Sequence, residues 1–206
     1  ITSFFSGQLS CCQVRLLPCK LASVIVLIET ESAVTADEEH FQTYAEDGTP
    51  SGVVARSEVH RLGLLHRSVH IFVWNMADEL LVTQRSADKD ICPSYWDLSA
   101  AEHQKPGETA FETAFRGLRE ELGIHSTCLR QSLSWSRHRM TYPELGIVDY
   151  EETATFSTRY AGGLRFEDGE VMASRWIAKH QLGQFMMHEK TTPWMKRDLH
   201  MLDLIQ

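Results

Sequence analysis

The sequence predicts a mixed α/β domain, with a mixed central sheet packed between helices. Three observations predict it. From residue 66 onward, polar and apolar side chains alternate with the two-residue period of strands. One segment near 109–122 carries both ends of a helix in its residue types. Strand-like and helix-like segments then interleave without a regular βαβ rhythm, which argues against an all-parallel sheet.

Taken in order, residues 29–50 are polar and acidic, and Asp47-Gly48 reads as a turn. His66, Ser68, His70, Phe72 and Trp74 alternate with Arg67, Val69, Ile71 and Val73, a strand with one mainly apolar face. A turn at 75–78 leads to a second strand, 79–85, and the two are expected to form a hairpin. After a charged loop, a short strand is expected at 95–101. Thr109 fits an N-cap, Glu112 completes a capping box three residues on, and Gly123 fits the left-handed stop of a helix ending at Leu122. Strands are expected near 128–136, 147–158 and 173–177. A helix near 179–186 follows, and a last helix after Pro193 running to the end.

Net charge is −8, from 20 basic and 28 acidic side chains. No basic stripe is visible, which argues against a nucleic-acid backbone as partner. An acidic protein still binds an anionic diphosphate when metal ions bridge the two. The five cysteines, Cys11, Cys12, Cys19, Cys92 and Cys128, have no zinc-site spacing and read as free thiols. The longest apolar run, 21–28, is too short to span a membrane. Residues 1–28 lack Asp and Glu and carry two basic residues, so they read as an N-terminal extension, either a presequence or disordered. Residues 29–206 read as a single domain. The expected compartment is the cytoplasm, or an organelle if 1–28 is a presequence.

The chemistry concentrates in 102–124. Glu108, Arg116, Glu120, Glu121 and Gly123, with aliphatic Leu118 and Ile124, stand in the register G-x5-E-x7-R-E-U-x-E-E-x-G-U, matching five of its seven fixed letters. At roughly 6% background per letter, chance supplies such a match far less than once in a chain this long. This segment resembles the Nudix box, which implies a Nudix-type α/β/α sandwich. Positions 117, 120 and 121 share a helical face, where carboxylates hold hard cations such as Mg²⁺ or Mn²⁺ and the phosphate oxygens bound to them. Arg116 is expected to bridge back to Glu108. The catalytic candidates are therefore Glu120, Glu121, Arg116 and Glu108, with Glu120 and Glu121 as metal ligands.

Two letters depart from the pattern: Glu102 stands where the family has Gly, and Gly117 where it has Glu. The missing carboxylate points to weakened activity, so Gly117→Glu is expected to restore a third ligand; the rival expectation is that Glu102 supplies that carboxylate, and a further one at 117 would crowd the metal. Flanking residues from His66 to Thr192-Pro193-Trp194 are similar to the isopentenyl-diphosphate isomerase branch of the superfamily. That resemblance implies a metal held by His66, His103, Asp149 and Glu151, with His60 a looser fifth. The isomerase cysteine position is Ala101, and alanine moves no proton. The expected function is thus a metal-dependent Nudix hydrolase cleaving a nucleoside- or prenyl-type diphosphate, with Arg85 and Lys89 binding substrate. The alternatives are an isopentenyl-diphosphate isomerase relative and an impaired diphosphate-binding fold.

Overall fold

A computed structural model describes residues 38–166 and 169–206. The expected extension at 1–28, and Cys11, Cys12 and Cys19 with it, lie outside the described residues. Cys92 and Cys128 are free thiols. Among the described residues no helix is long and apolar enough to cross a membrane.

The alternating segment forms β3 (Leu65–Trp74), which organises the sheet. One edge of β3 pairs in parallel with β8 (Ile147–Arg159), from His66 opposite Glu151 to Trp74 opposite Arg159. β7 (Arg130–Tyr142) continues the sheet antiparallel beyond β8. The other edge takes β6 (Ala100–His103), and near its start β1 (His40–Tyr44), both antiparallel. β2 (Pro50–Ala55) flanks β1, and the chain then enters α1 (Arg56–Leu62). β1, β2 and α1 go beyond the sequence reading, which marked only the turn between the two strands. That turn is present, with Gly48 at φ 83°. Seven residues of α1 are too few to display a 3.6-residue period.

The expected hairpin is only partly formed. Residues 75–78 make the turn, but β3 meets β4 (Glu79–Arg85) only at Trp74 opposite Leu80. The strands then diverge, because β6 takes the edge of β3 while β5 (Trp96–Asp97) and β9 (Val171–Ala178) pair with β4. The fully buried Ser99 closes the split: its hydroxyl accepts from the Val73 N–H at 2.8 Å and donates to the Leu81 carbonyl at 2.7 Å. Ser99 also lies between β5 and β6, which replace the single strand expected at 95–101.

Helices cover both faces. α2 (Ala110–Leu122) has the capping box of Thr109 and Glu112 and stops at Gly123, φ 66°. Its Ala114, Leu118 and Leu122 pack on Val69, Ile71, Val73, Ala154 and Phe156. The opposite core gathers Phe72, Leu80, Val82, Trp96 and Leu98 against α3 (Leu182–His188) and α4 (Pro193–Met201). Burying such aliphatic and aromatic side chains contributes roughly 1.5–3 kcal/mol each. α4 stops at Met201 rather than running to the end. Asp203 adopts φ 54° and Leu204 N–H returns to the Leu199 carbonyl at 2.9 Å, laying Leu202, Leu204 and Ile205 against this core.

Candidate active site

The pleat of β3 separates its two faces. Val69, Ile71 and Val73 go under α2, while His66, Ser68 and His70 share the other face. The parallel register sets Glu151 beside His66, and Asp149 two residues earlier on β8 points the same way. β6 brings in His103, opposite Ser68, and α1 brings in His60. The three imidazole centroids lie 5.3–5.9 Å apart, and Phe41 of β1 stacks on His66 at 5.2 Å and on His103 at 4.4 Å.

His66 Nε2 is 3.7 Å from Asp149 Oδ1 and 3.6 Å from Glu151 Oε1, and His103 Nε2 is 3.2 Å from the same Glu151 oxygen. His66 Nδ1 donates to the Leu64 carbonyl at 3.0 Å, which places the lone pair of the neutral ring on Nε2. His60 Nε2, His66 Nε2 and Asp149 Oδ1 are buried and make no hydrogen bond. Buried polar atoms without partners are costly, and here they converge. The donor atoms of His60, His66 and His103 lie within 4.8 Å of one another, as do those of His66, Asp149 and Glu151. Three imidazoles and two carboxylates form a donor set that fits a divalent cation.

Burial lowers the pKa of His66, but Glu151 and then Asp149 outweigh it and raise it. Burial, then the neighbouring His103 and His66, push His60 down to about 3, so it stays neutral and able to ligate. Burial, then Glu151, push Asp149 up to about 6. Burial also opposes charge on Glu151, but His103, His138 and His66 together hold it well below the ordinary carboxylate value. His138, on β7 opposite Glu151, places its Nε2 3.1 Å from Glu151 Oε2. Sequence reasoning missed it, because only the β7–β8 register brings it there.

The box residues act on β6 from the opposite side. Arg116 Nε and Nη2 donate to the two Glu108 oxygens at 2.8 and 3.0 Å, the expected bridge, while Nη2 also donates to the His103 carbonyl at 2.7 Å. Glu121 Oε1 accepts from the Ala101 N–H at 3.2 Å. Helix α2 thus holds the backbone of the strand that presents His103. Burial works against the Glu108 charge, but Arg116, the Lys105 N–H and the Thr113 hydroxyl keep it below the usual carboxylate value. Glu120 is more exposed and pairs with Arg119 at 3.0 Å and Arg116 at 3.4 Å. Among the described residues, neither Glu120 nor Glu121 joins a group of three clustered ligand atoms.

The two departures from the box are spatially complementary. A Cβ built on Gly117 falls 3.1 Å from Glu102 Cβ and 3.5 Å from Ile71 Cδ1. Glu102 Oε2 lies 2.9 Å from Arg116 Nη1. Burial raises Glu102 while Arg116 opposes the rise. Of the two outcomes expected for Gly117→Glu, this geometry supports crowding, because Glu102 already stands against that position.

A cavity of about 810 Å³ opens beside the histidines, bordered by Ala101 as well as Arg85 and Lys89. Arg85 donates to the Ile91 carbonyl at 3.1–3.2 Å and to Asp97 at 3.1 Å, and Lys89 pairs with Glu170 at 2.7 Å. Both cations reach the cavity wall already partnered.

The NUDIX domain family model matches residues 64–199. The isopentenyl-diphosphate Delta-isomerase of Salmonella typhi is 33% identical over 158 residues, covering 76% of this chain and 85% of the relative. That of Salmonella heidelberg is 32% identical over the same span. A crystal structure from Deinococcus radiodurans superposes with a TM-score of 0.64 at 19% identity, over 80% of this chain and 99% of that one. The MutT protein of Methanosarcina mazei gives 0.55 at 19% identity, over 68% and 93%. At such identities these two show the shared fold alone. The family match spans most of the chain, and the sequence relatives specify its branch: the protein belongs to the NUDIX family, in the isopentenyl-diphosphate isomerase-like branch.

Proposed function

We propose that this chain is a metal-dependent hydrolase that cleaves the diphosphate linkage of a nucleoside- or prenyl-type diphosphate. The observation that carries the reading is the convergence of partnerless buried donor atoms from His60, His66 and Asp149, beside His103 and Glu151, on a cavity that Arg85 and Lys89 border. These five residues would hold Mg²⁺ or Mn²⁺, with the imidazoles favouring Mn²⁺. When bound, the cation would neutralise charge developing on the diphosphate and lower the pKa of a coordinated water. Glu121 and Glu120 carry the carboxylates of the box and would be the ligands of any second cation.

The chain's own residues do the remaining work. Arg116 and Glu121 fix β6, and therefore the imidazole of His103. Arg85 and Lys89 would meet the anionic substrate once it competes with Asp97 and Glu170. The Phe41 ring closes one side of the histidine group against water.

The isomerase relatives favour a second reading, conversion of isopentenyl diphosphate to its allylic isomer. Ala101 argues against it, since its methyl group neither donates nor removes a proton. Phosphate release from a panel of nucleoside and prenyl diphosphates, with Mg²⁺ or Mn²⁺, tests the first reading. Formation of dimethylallyl diphosphate tests the second. Binding without turnover of either kind would leave a diphosphate-binding fold.

A further inference from the structure

The cavity face of β3 carries a second buried pair that the metal reading leaves unused. His70 lies four residues beyond His66 on the same face. Its Nδ1 is 2.6 Å from Oδ2 of Asp198 on α4, with His70 3% and Asp198 1% exposed. Asp198 also accepts from Arg197 Nε at 2.8 Å and from the Thr155 hydroxyl at 3.4 Å. Nδ1–H must point at the carboxylate, so the ring turns Nε2 away from α4. His70 borders the cavity, and its Nε2 has no hydrogen-bond partner among the described residues, yet it is not one of the sealed, partnerless atoms.

The strand opposite makes this position informative. His70 faces Ala101 directly across the β3–β6 pair, and directly opposed residues project to the same side of a sheet. The methyl group of Ala101 therefore leaves the cavity wall beside the imidazole unfilled. A buried carboxylate that orients one imidazole nitrogen and aims the other at a pocket is an arrangement suited to proton transfer.

We propose that His70 is the proton donor of this cavity: Nε2–H hydrogen-bonds a diphosphate oxygen and protonates the bridging oxygen as it departs. Asp198 is the positioning residue. The inference rests on the diphosphate-hydrolase reading. In the step, a water oxygen forms the new bond to phosphorus, and the bridging oxygen leaves with the electron pair of the broken P–O bond. The bridging oxygen takes the Nε2 proton, and the proton released by the water restores the imidazolium. Although burial opposes charge on His70, the Asp198 carboxylate raises its proton affinity, against Arg197.

The test replaces His70 by alanine and by glutamine in the full chain, with melting curves to verify folding. Proton donation contributes about 10²–10⁴-fold, so His70→Ala should lose at least about 100-fold in phosphate release. Added imidazole should restore turnover to His70→Ala, because its cation offers one N–H to Asp198 and one to the substrate. 1-Methylimidazole, with a single N–H, should not. Unchanged rates, or equal rescue by both compounds, overturn the proposal, since a space-filling role is served by either. Calorimetric binding of methylenediphosphonate judges the contact separately, with His70→Gln expected to weaken it about tenfold or more. Absence of wild-type turnover would sink the hydrolase reading and the transfer step together. Unchanged methylenediphosphonate affinity in His70→Gln would overturn the contact itself.

Discussion

Replacing Gly117 by alanine places two opposing effects in one methyl group. Mid-helix alanine is favoured over glycine by about 1 kcal/mol. The added Cβ, however, meets Glu102 Cβ at 3.1 Å and Ile71 Cδ1 at 3.5 Å. Glu102 Cβ is fixed to the backbone of β6, so relief requires that strand or α2 to move by a few tenths of an ångström. Overpacking of this kind costs about 1–3 kcal/mol, and Gly117→Ala should therefore be neutral to destabilising by about 2 kcal/mol. In a Glu102→Gly background the obstacle is gone, and the same change should stabilise by about 1 kcal/mol. Arg116 keeps its two bonds to Glu108 in that background, so no cation is left unpaired. Urea unfolding of the two single variants and the double variant, fitted by linear extrapolation, should give a coupling of about 1–3 kcal/mol. Additivity within about 0.5 kcal/mol would refute the claim that Glu102 occupies the space of the missing side chain. By the same logic Gly117→Glu alone should be less stable than Gly117→Glu combined with Glu102→Gly, which restores the family pattern.

Three further outcomes are expected. Glu121→Gln should lower diphosphate turnover by roughly two orders of magnitude, and an unchanged rate of phosphate release would remove Glu121 from the machinery. Mn²⁺ at about 100 times its dissociation constant should stabilise the wild type by about 2.7 kcal/mol, read as an upward melting shift reversed by chelator. His66→Gln and Glu151→Gln should lose most of that shift, and a full shift in both would place the metal elsewhere. Because the pKa of His70 is raised above the ordinary 6.5 in the fold, its contribution to stability is present below that value and lost as pH rises through the folded value. The stability gap between wild type and His70→Gln should therefore shrink above about pH 6.5. A gap that widens with pH would contradict the charged pairing with Asp198, which Glu151 supports and Arg197 opposes.

Local signals decided much of this protein. The capping box of Thr109 and Glu112, the stop at Gly123 and the Arg116–Glu108 bridge are set by residues at most eight positions apart, so the sequence alone located α2 and its anchor. The alternation from His66 to Trp74 likewise determined β3 and which side chains share its polar face. The resemblance to a known family placed His66, His103, Asp149 and Glu151 together, and the β3–β8 register supplies the reason. What the tertiary structure decided lies between segments remote in the chain. His138 reaches Glu151 only through the β7–β8 pairing, and Asp198 reaches His70 across 128 positions. The hairpin from β3 to β4 opens because β6 takes the facing edge of β3 and β5 that of β4, which no local pattern encodes. In the sequence Glu102 and Gly117 are two departures from a motif, with their coupling left as one of two alternatives. Packing of α2 on β6 makes them one arrangement, because a side chain at 117 and the Glu102 side chain would compete for the same volume.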